Sequence, residues 1–330
     1  MCIRDSGCHD TYFRVSTCIK VSTNIPLFSE IKKYLHMKII ITGSLGNVAK
    51  PLAQQLIAEG HNITVISSNE AKKDEIESLG AKAAIGSITD LDFLVKSFEN
   101  ADAAFLMTPP NMGGVNIIEN TINAGKNYAE AISKTGVKRV VMLSSIGVES
   151  PVETGPIKGL HHIEKFYNNL ENTSVTFLRA GYFYINFFND IPLIQNAGII
   201  GANYPENTSI PLVHPVDIAK AAAEELVKNS EGKNVRYIVS DVRPASDFAK
   251  VFGTAIGKPE LPWIEFKDED SLNGMLQAGL PQEMAELYAE MGRGVRTGIV
   301  QKDFIEHDSP VDGGIKLEEF AKELAAKFNS

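Results

Sequence analysis

The sequence predicts an α/β chain: a doubly wound parallel sheet followed by a smaller C-terminal lobe. Strand-like apolar runs alternate with helical periods from Lys38 to Arg179. A glycine-spaced turn joins the first run directly to the first helical period, and past Gly181 the alternation loses its regularity. Val/Ile/Leu-rich strands joined by helices suit a parallel sheet covered on both faces. Right-handed crossovers wind such a sheet outward from its centre.

The predicted strands cover residues 38–42, 62–67, 81–85, 103–107, 139–144 and 174–179, with helical periods over 51–59, 70–79, 91–98 and 115–135. Pro51 fits only in a first helical turn, where its missing N–H costs nothing, so the first helix should start near Val48 or Ala49. Asp90 is an expected N-cap. Residues 182–213 are aromatic and loop-rich, with Tyr182, Phe183, Tyr184, Phe187 and Phe188. A helix should follow Pro215 and Val216 with Asp217 as its cap, residues 235–240 read as a strand, and 316–328 form an amphipathic helix. The expected organisation is a dinucleotide-binding core over 37–181 and a substrate lobe over 182–330 interleaved with late sheet elements.

All three cysteines, Cys2, Cys8 and Cys18, precede Met37. Residues 1–36 lack apolar periodicity and a signal-peptide apolar run, and are read as a non-native or disordered extension. Beyond Met37 there is no thiol for a disulfide, a metal site or a nucleophile, and the histidines lack metal-ligand spacing. The chain carries 32 basic and 41 acidic residues. That balance argues against direct nucleic-acid binding. No apolar run approaches the roughly 20 residues of a membrane span, and a cytoplasmic location is expected.

The chemistry concentrates at strand ends. In Thr42-Gly43-Ser44-Leu45-Gly46-Asn47-Val48-Ala49, Gly43 permits a tight turn, Gly46 lets backbone approach a pyrophosphate, and Ala49 permits close helix–strand packing. The first N–H groups of the helix then face the anion. Thr42, Gly43, Leu45, Gly46, Asn47 and Val48 are the expected cofactor contacts. Ser67, Ser68 and Asn69 end the second strand, where an acidic residue would select NAD and an arginine NADP. Neither is present. The hydroxyls, with Lys72 or Lys73 in reach of a phosphate, favour NADP(H) over NAD(H). Ser87 and Ile88 are candidates for the adenine wall, and Thr108, Pro109 and Pro110 for a stiff loop along the ribose or nicotinamide. Ser144 and Ser145 end the fifth strand, the first assigned to cofactor and the second to substrate. Gly181 suits close approach to nicotinamide, and Tyr182 and Phe183 suit an apolar wall for a flat acceptor.

These turns, with Phe105–Pro110, Val140–Ser145, His161-His162-Ile163-Glu164-Lys165-Phe166, Thr176–Phe183 and Asp217-Ile218-Ala219, resemble the NmrA-like family of atypical short-chain dehydrogenases/reductases. The resemblance covers most of residues 37–330. It implies a Rossmann domain binding NAD(P), in a family of quinone and related reductases and of regulators that bind dinucleotide without consuming it. It also implies departures. Ser68 stands where quinone-reductase-like members have arginine, and Ser87 where an acidic residue is usual. The Tyr-x-x-x-Lys pair of active short-chain dehydrogenases is replaced by His161-x-x-x-Lys165. Spacing i, i+4 puts both on one helix face, so Lys165 remains a candidate for ribose and His161 for proton donation.

Two classes of function follow. One is an NAD(P)H-dependent reductase of a quinone or similar conjugated carbonyl, acting on a small-molecule substrate. The other is a non-catalytic redox sensor with a protein partner. A sugar-nucleotide or flavonoid-like carbonyl substrate is a third option, disfavoured by the missing tyrosine.

Overall fold

The computed structural model describes residues 36–109 and 114–330. Pro110 and the expected extension before His36 lie outside the described residues. Through the first half, strands and helices alternate: β1 (Lys38–Ile41), α1 (Ala49–Ala58), β2 (Asn62–Ser67), α2 (Lys73–Ser78), β3 (Lys82–Ile85), α3 (Leu91–Phe98), β4 (Ala103–Leu106), α4 (Ile117–Thr135), β5 (Arg139–Ser145), α5 (Ile157–Asn168) and β6 (Ser174–Ala180). The chain leaves the sheet through β7 (Tyr182–Phe183), a 3-10 segment (Tyr184–Asp190), α6 (Ile191–Ala197), β8 (Ile200–Ala202) and β9 (Ser209–Val213). It returns through α7 (Pro215–Val227) to β10 (Lys233–Ile238).

The predicted doubly wound sheet is present: seven parallel strands in the order β3-β2-β1-β4-β5-β6-β10. β10 begins two residues before the expected strand, and it adds residues of the C-terminal part to the central sheet. Strand periodicity sorts the core into two layers. Ile39, Ile41, Val65, Phe105 and Val141 face Leu52 and Leu56 of α1 and Ile218, Ala222 and Leu226 of α7. Ile40, Ile66, Ala104, Leu106 and Val140 face Phe98, Tyr128, Ile132, Ile163 and Tyr167 of α3, α4 and α5. Fully burying each large side chain contributes roughly 1.5–3 kcal/mol, so both helical layers are held by apolar contact.

The remaining elements are β11 (Asp241–Pro244), α8 (Ala245–Ala255), β12 (Trp263–Glu265), α9 (Asp268–Gln277), α10 (Gln282–Arg296), α11 (Lys302–Glu306) and α12 (Leu317–Phe328). β9 pairs with β7 and β11, and β8 with β12. A separate aromatic core, with Tyr184, Phe187, Phe248, Phe252 and Phe320, holds this lobe together. Asp217 does not cap α7. His214 is the N-cap, its Nδ1 accepting the Val216 N–H at 3.2 Å. Asp217 is buried one turn in and accepts the Ser240 hydroxyl at 2.7 Å and the Ile315 N–H at 3.1 Å, tying α7 to the chain before α12. Among the described residues, no helix is long and apolar enough to cross a membrane.

Candidate functional site

The strand order reverses between β1 and β4, and the crevice at their carboxyl ends is where an open α/β sheet receives ligands. Thr42 fixes the two strand ends together. Its N–H donates to Phe105 O at 3.1 Å, and its hydroxyl accepts the Met107 N–H at 2.8 Å. Tyr128 of α4 donates to Met107 O at 3.3 Å from below. Gly43 has φ +97°, and a Cβ there would lie 2.9 Å from Met107 Cγ. Both the backbone and the space require glycine. Ser44 follows at φ +56°, its N–H on Ile66 O at 3.1 Å and its hydroxyl on Ser67 Oγ at 3.0 Å, which bolts the turn to β2.

The turn then opens outward. Gly46 and Asn47 are exposed, Leu45 is half-buried and Val48 is buried. Among the described residues, the N–H groups of Leu45, Asn47 and Val48 have no protein acceptor. α1 starts at Ala49 without a side-chain cap and without an acidic residue in its first turn. Free N–H groups at the positive end of a helix dipole form an anion seat.

Ser67 is buried, and its hydroxyl is engaged with Ser44 and with the backbone of Asn69. It shapes the turn, while Ser68 is exposed. Just beyond, Lys50 of α1 and Lys72 converge on Glu75 at 3.0 and 2.8 Å. The two ammonium groups hold the Glu75 carboxyl below the usual carboxylate range, chiefly through the Lys72 hydrogen bond. Lys73 is exposed. Ser87 is exposed in a local turn with Thr89, 2.7 Å between hydroxyls, and half-buried Ile88 holds Asn127 of α4 through its carbonyl. Asp90 caps α3, accepting the Phe93 N–H at 3.0 Å. Thr108 is half-buried and Pro109 exposed beyond β4.

Two assigned residues point elsewhere. The Ser144 hydroxyl is buried and donates to Glu164 Oε1 at 2.6 Å; Glu164 also receives Arg179, whose Nη2 lies 2.7 Å from Oε2. Ser144 therefore serves an interior ion-pair network through its hydroxyl. Gly181 is buried, its N–H on Ile238 O at 3.1 Å, and a Cβ would stand 2.6 Å from Pro211 O. The close approach that requires glycine is by the β9 backbone. Ser145 donates to Ile146 O at 2.8 Å.

His161 and Lys165 share α5, as their spacing predicts. His161 Nδ1 lies 2.7 Å from Val148 O, so Nδ1–H donates and Nε2 is left for other partners. His162 stands edge-on to it at 5.5 Å, and burial together with His161, Lys165 and Lys126 lowers its pKa. Lys165 is exposed.

Past β6, Tyr182 is bonded to Asn186 and feels Asp190, Tyr204 and Tyr288. Tyr182, Tyr204 and Tyr288 are half-buried, and desolvation raises the pKa of each phenol. Tyr204 stacks on Trp263 at 5.5 Å. Phe183 packs against the core beneath the sheet's first face. Residues 182–183 were legible as an aromatic cluster. Tyr204, Tyr288 and Asp190 were not, because lone aromatics and acids far apart in sequence carry no spacing signal. A groove between α9 and α10, lined by Glu269, Glu283, Glu286, Glu290, Lys158 and Arg293, does not include the glycine turn.

The NmrA-like family profile matches residues 36–293. The chain is 23% identical over 257 residues to an NAD(P)H azoreductase from Xenophilus azovorans, covering 77% of this chain and 85% of that one. It superimposes with a TM-score of 0.74 and 19% identity on an NADPH-dependent quinone oxidoreductase from Escherichia coli solved with NADPH, covering 88% of this chain and all of that one. A triphenylmethane reductase from Citrobacter sp. gives 0.71 and 19%, covering 88% and 99%. At these identities the superpositions establish the fold. The family profile spans most of the sequence, and the chain belongs to the NmrA-like family.

Proposed function

We propose that this protein is an NADP(H)-dependent reductase of a quinone or a similar conjugated acceptor. The observation that carries the proposal is the open corner from Leu45 to Val48, with unpaired N–H groups and an uncapped α1 beside the strand-order reversal. A pyrophosphate fits that corner because no acidic side chain of the first helical turn competes for the amides. Ser68 and Lys72 follow the end of β2, where a ribose 2′-phosphate would meet a hydroxyl and a cation, and Lys50 of α1 shares Glu75 with Lys72. Its relatives support the same reading, being named for NAD(P)H-dependent reduction of azo, quinone and triphenylmethane compounds.

When bound, the reduced nicotinamide supplies hydride. The chain's residues supply the rest. Gly43 and Thr42 set the turn, the Leu45–Val48 amides hold phosphate, and Thr108 and Pro109 border the crevice from β4. Lys165 is the candidate for ribose hydroxyls. Tyr182 and its neighbouring tyrosines form the walls against which a flat acceptor stacks and from which water is excluded. A thermal-shift comparison of NAD⁺, NADH, NADP⁺ and NADPH tests cofactor binding, since a ligand of the folded state raises the melting temperature. NADPH oxidation with menadione tests the reaction. No shift with any nucleotide overturns the cofactor reading, and binding without turnover of quinone or azo acceptors overturns the reductase reading.

A further inference from the structure

We propose that the groove between α9 and α10 binds a conjugated organic cation, which makes positively charged compounds the acceptor class that the lobe selects. Treating that cation as the acceptor rests on the reductase reading above; the binding itself does not.

The groove encloses about 540 Å³, inside the range of about 300–1,000 Å³ usual for small-molecule sites. Leu287 and Ala289 of α10 form one wall, and Leu272 of α9 stands on the other. α9 buries none of its residues, although a helix draws most of its stability from packing an apolar face. It is fixed at its ends. Asp268 accepts Asn203 Nδ2 and Arg296 Nη1, each at 2.8 Å, and Leu280, just past the helix, packs against Ile117, Met284 and Leu287. Between those anchors Leu272 is half-buried at the groove, apolar surface that a ligand would remove from water.

Charge selects the ligand. Five carboxylates line the groove against two cations, Lys158 and Arg293. Both cations already face acids: Lys158 Nζ lies 2.6 Å from Glu290 Oε2, and Arg293 Nε lies 3.2 Å from Glu153 Oε2. Asp268 is paired with Arg296, and Glu283 sits on the amides of Asn116 and Ile117. Two carboxylates are left without a cation among the described residues. Glu286 accepts the neutral Gln282 amide at 2.9 Å, and Glu269 has no partner. Both are exposed, so their charge stays hydrated. A delocalised organic cation lays its apolar body against Leu272 and Leu287 and keeps its charge beside these carboxylates. An anion meets an opposing field, and a neutral ligand lacks the attraction. A metal ion does not suit the groove, because no group of three or more Asp, Glu, His or Cys among the described residues could hold one.

The position fits an acceptor. Glu283 lies on the first amides of α4, and Lys158 is in the first turn of α5. Both helices follow parallel strands and begin at the carboxyl edge of the sheet, the edge that receives the cofactor.

Calorimetry on the full chain without nucleotide compares methylene blue, a delocalised cation, with neutral menadione and anionic anthraquinone-2-sulfonate. Methylene blue should bind at least about tenfold more tightly than the sulfonate, and added salt should narrow the gap. The double variant Glu269→Gln/Glu286→Gln should weaken methylene blue by about threefold to tenfold. A control, Glu77→Gln/Glu99→Gln, makes the same change of net charge at two exposed acids outside the groove and should bind it as the wild type does. Leu272→Ser should weaken it through the apolar wall. Equal affinity for cation and sulfonate, wild-type affinity in the groove double variant, or an equal loss in the control would overturn the proposal. With NADPH present, KM for methylene blue should rise in the groove variant by the factor seen in its dissociation constant. Binding of methylene blue with no NADPH-driven reduction of it or of menadione would instead overturn the reductase reading and leave the groove as a cation site.

Discussion

The carboxylate of Glu283, in the first turn of α10, accepts the N–H of Ile117 at 2.7 Å and so closes the N-terminus of α4 from 166 residues away. Its second oxygen accepts the Asn116 N–H at 2.6 Å. An anion placed on free helix amides is favourable, and Ile117, Met284 and Leu287 bury one another beside it. The C-terminal lobe is thereby fastened to the Rossmann core at the end of α4 that borders the crevice. Glu283→Ala should lower stability by about 1–2 kcal/mol in urea denaturation. Because Tyr288 rides on the same helix, KM for menadione should rise while NADPH affinity stays unchanged.

Gly46→Asp places a carboxylate at the anion seat. Gly46 is exposed, with only Gly43 O within reach of a new Cβ, at 3.2 Å, so the fold should survive. Calorimetric NADPH affinity should fall by about tenfold or more through charge repulsion. Gly43→Ala should instead fail by strain and by overlap with Met107, lowering both stability and affinity. Unchanged affinity in Gly46→Asp would displace the pyrophosphate from this corner.

Lys72→Ala should weaken NADPH more than NADH, since a 2′-phosphate is the only feature that separates the two ligands. The ratio of their dissociation constants is the measurement. Glu75→Gln releases both lysines from their shared partner and should move the ratio toward NADPH.

Ser144→Ala should leave nucleotide affinity unchanged and cost about 1 kcal/mol, the value of one hydrogen bond to buried Glu164. Glu164→Gln removes one of the three carboxylates that pair with Arg179, leaving Glu149 and Asp303, and should cost about 1.5–3 kcal/mol. Melting curves and nucleotide titrations on the same samples check both.

Asp190 shapes stability against pH. Its folded pKa, about 7, stands above the ordinary carboxylate value of 3.8, so the folded state binds the proton more tightly. Its contribution is full below the unfolded value and is lost as pH rises toward neutrality. Asp190→Asn should therefore gain melting temperature over the wild type at pH 8 and show the smaller difference at pH 5.

Much of the frame was legible in the residues. Ile39, Ile40 and Ile41 are apolar without alternation because β1 is covered on both faces, and Pro51 located the start of α1 to within a residue. Asp90 is the cap its position implied, whereas Asp217 carries the same local signal and is spent on Ser240 and Ile315. Cap preference is local and weak, and a distant buried donor can outweigh it.

The sequence by itself determined the winding of the sheet and the glycine corner, because periodicity and turn chemistry act between neighbours along the chain. Only the tertiary structure decided that Ser144 faces Glu164, that Gly181 yields space to β9, and that Asp217 holds Ser240. Those relationships join residues from separate elements, and burial, the force that sets them, is a property of the packed whole.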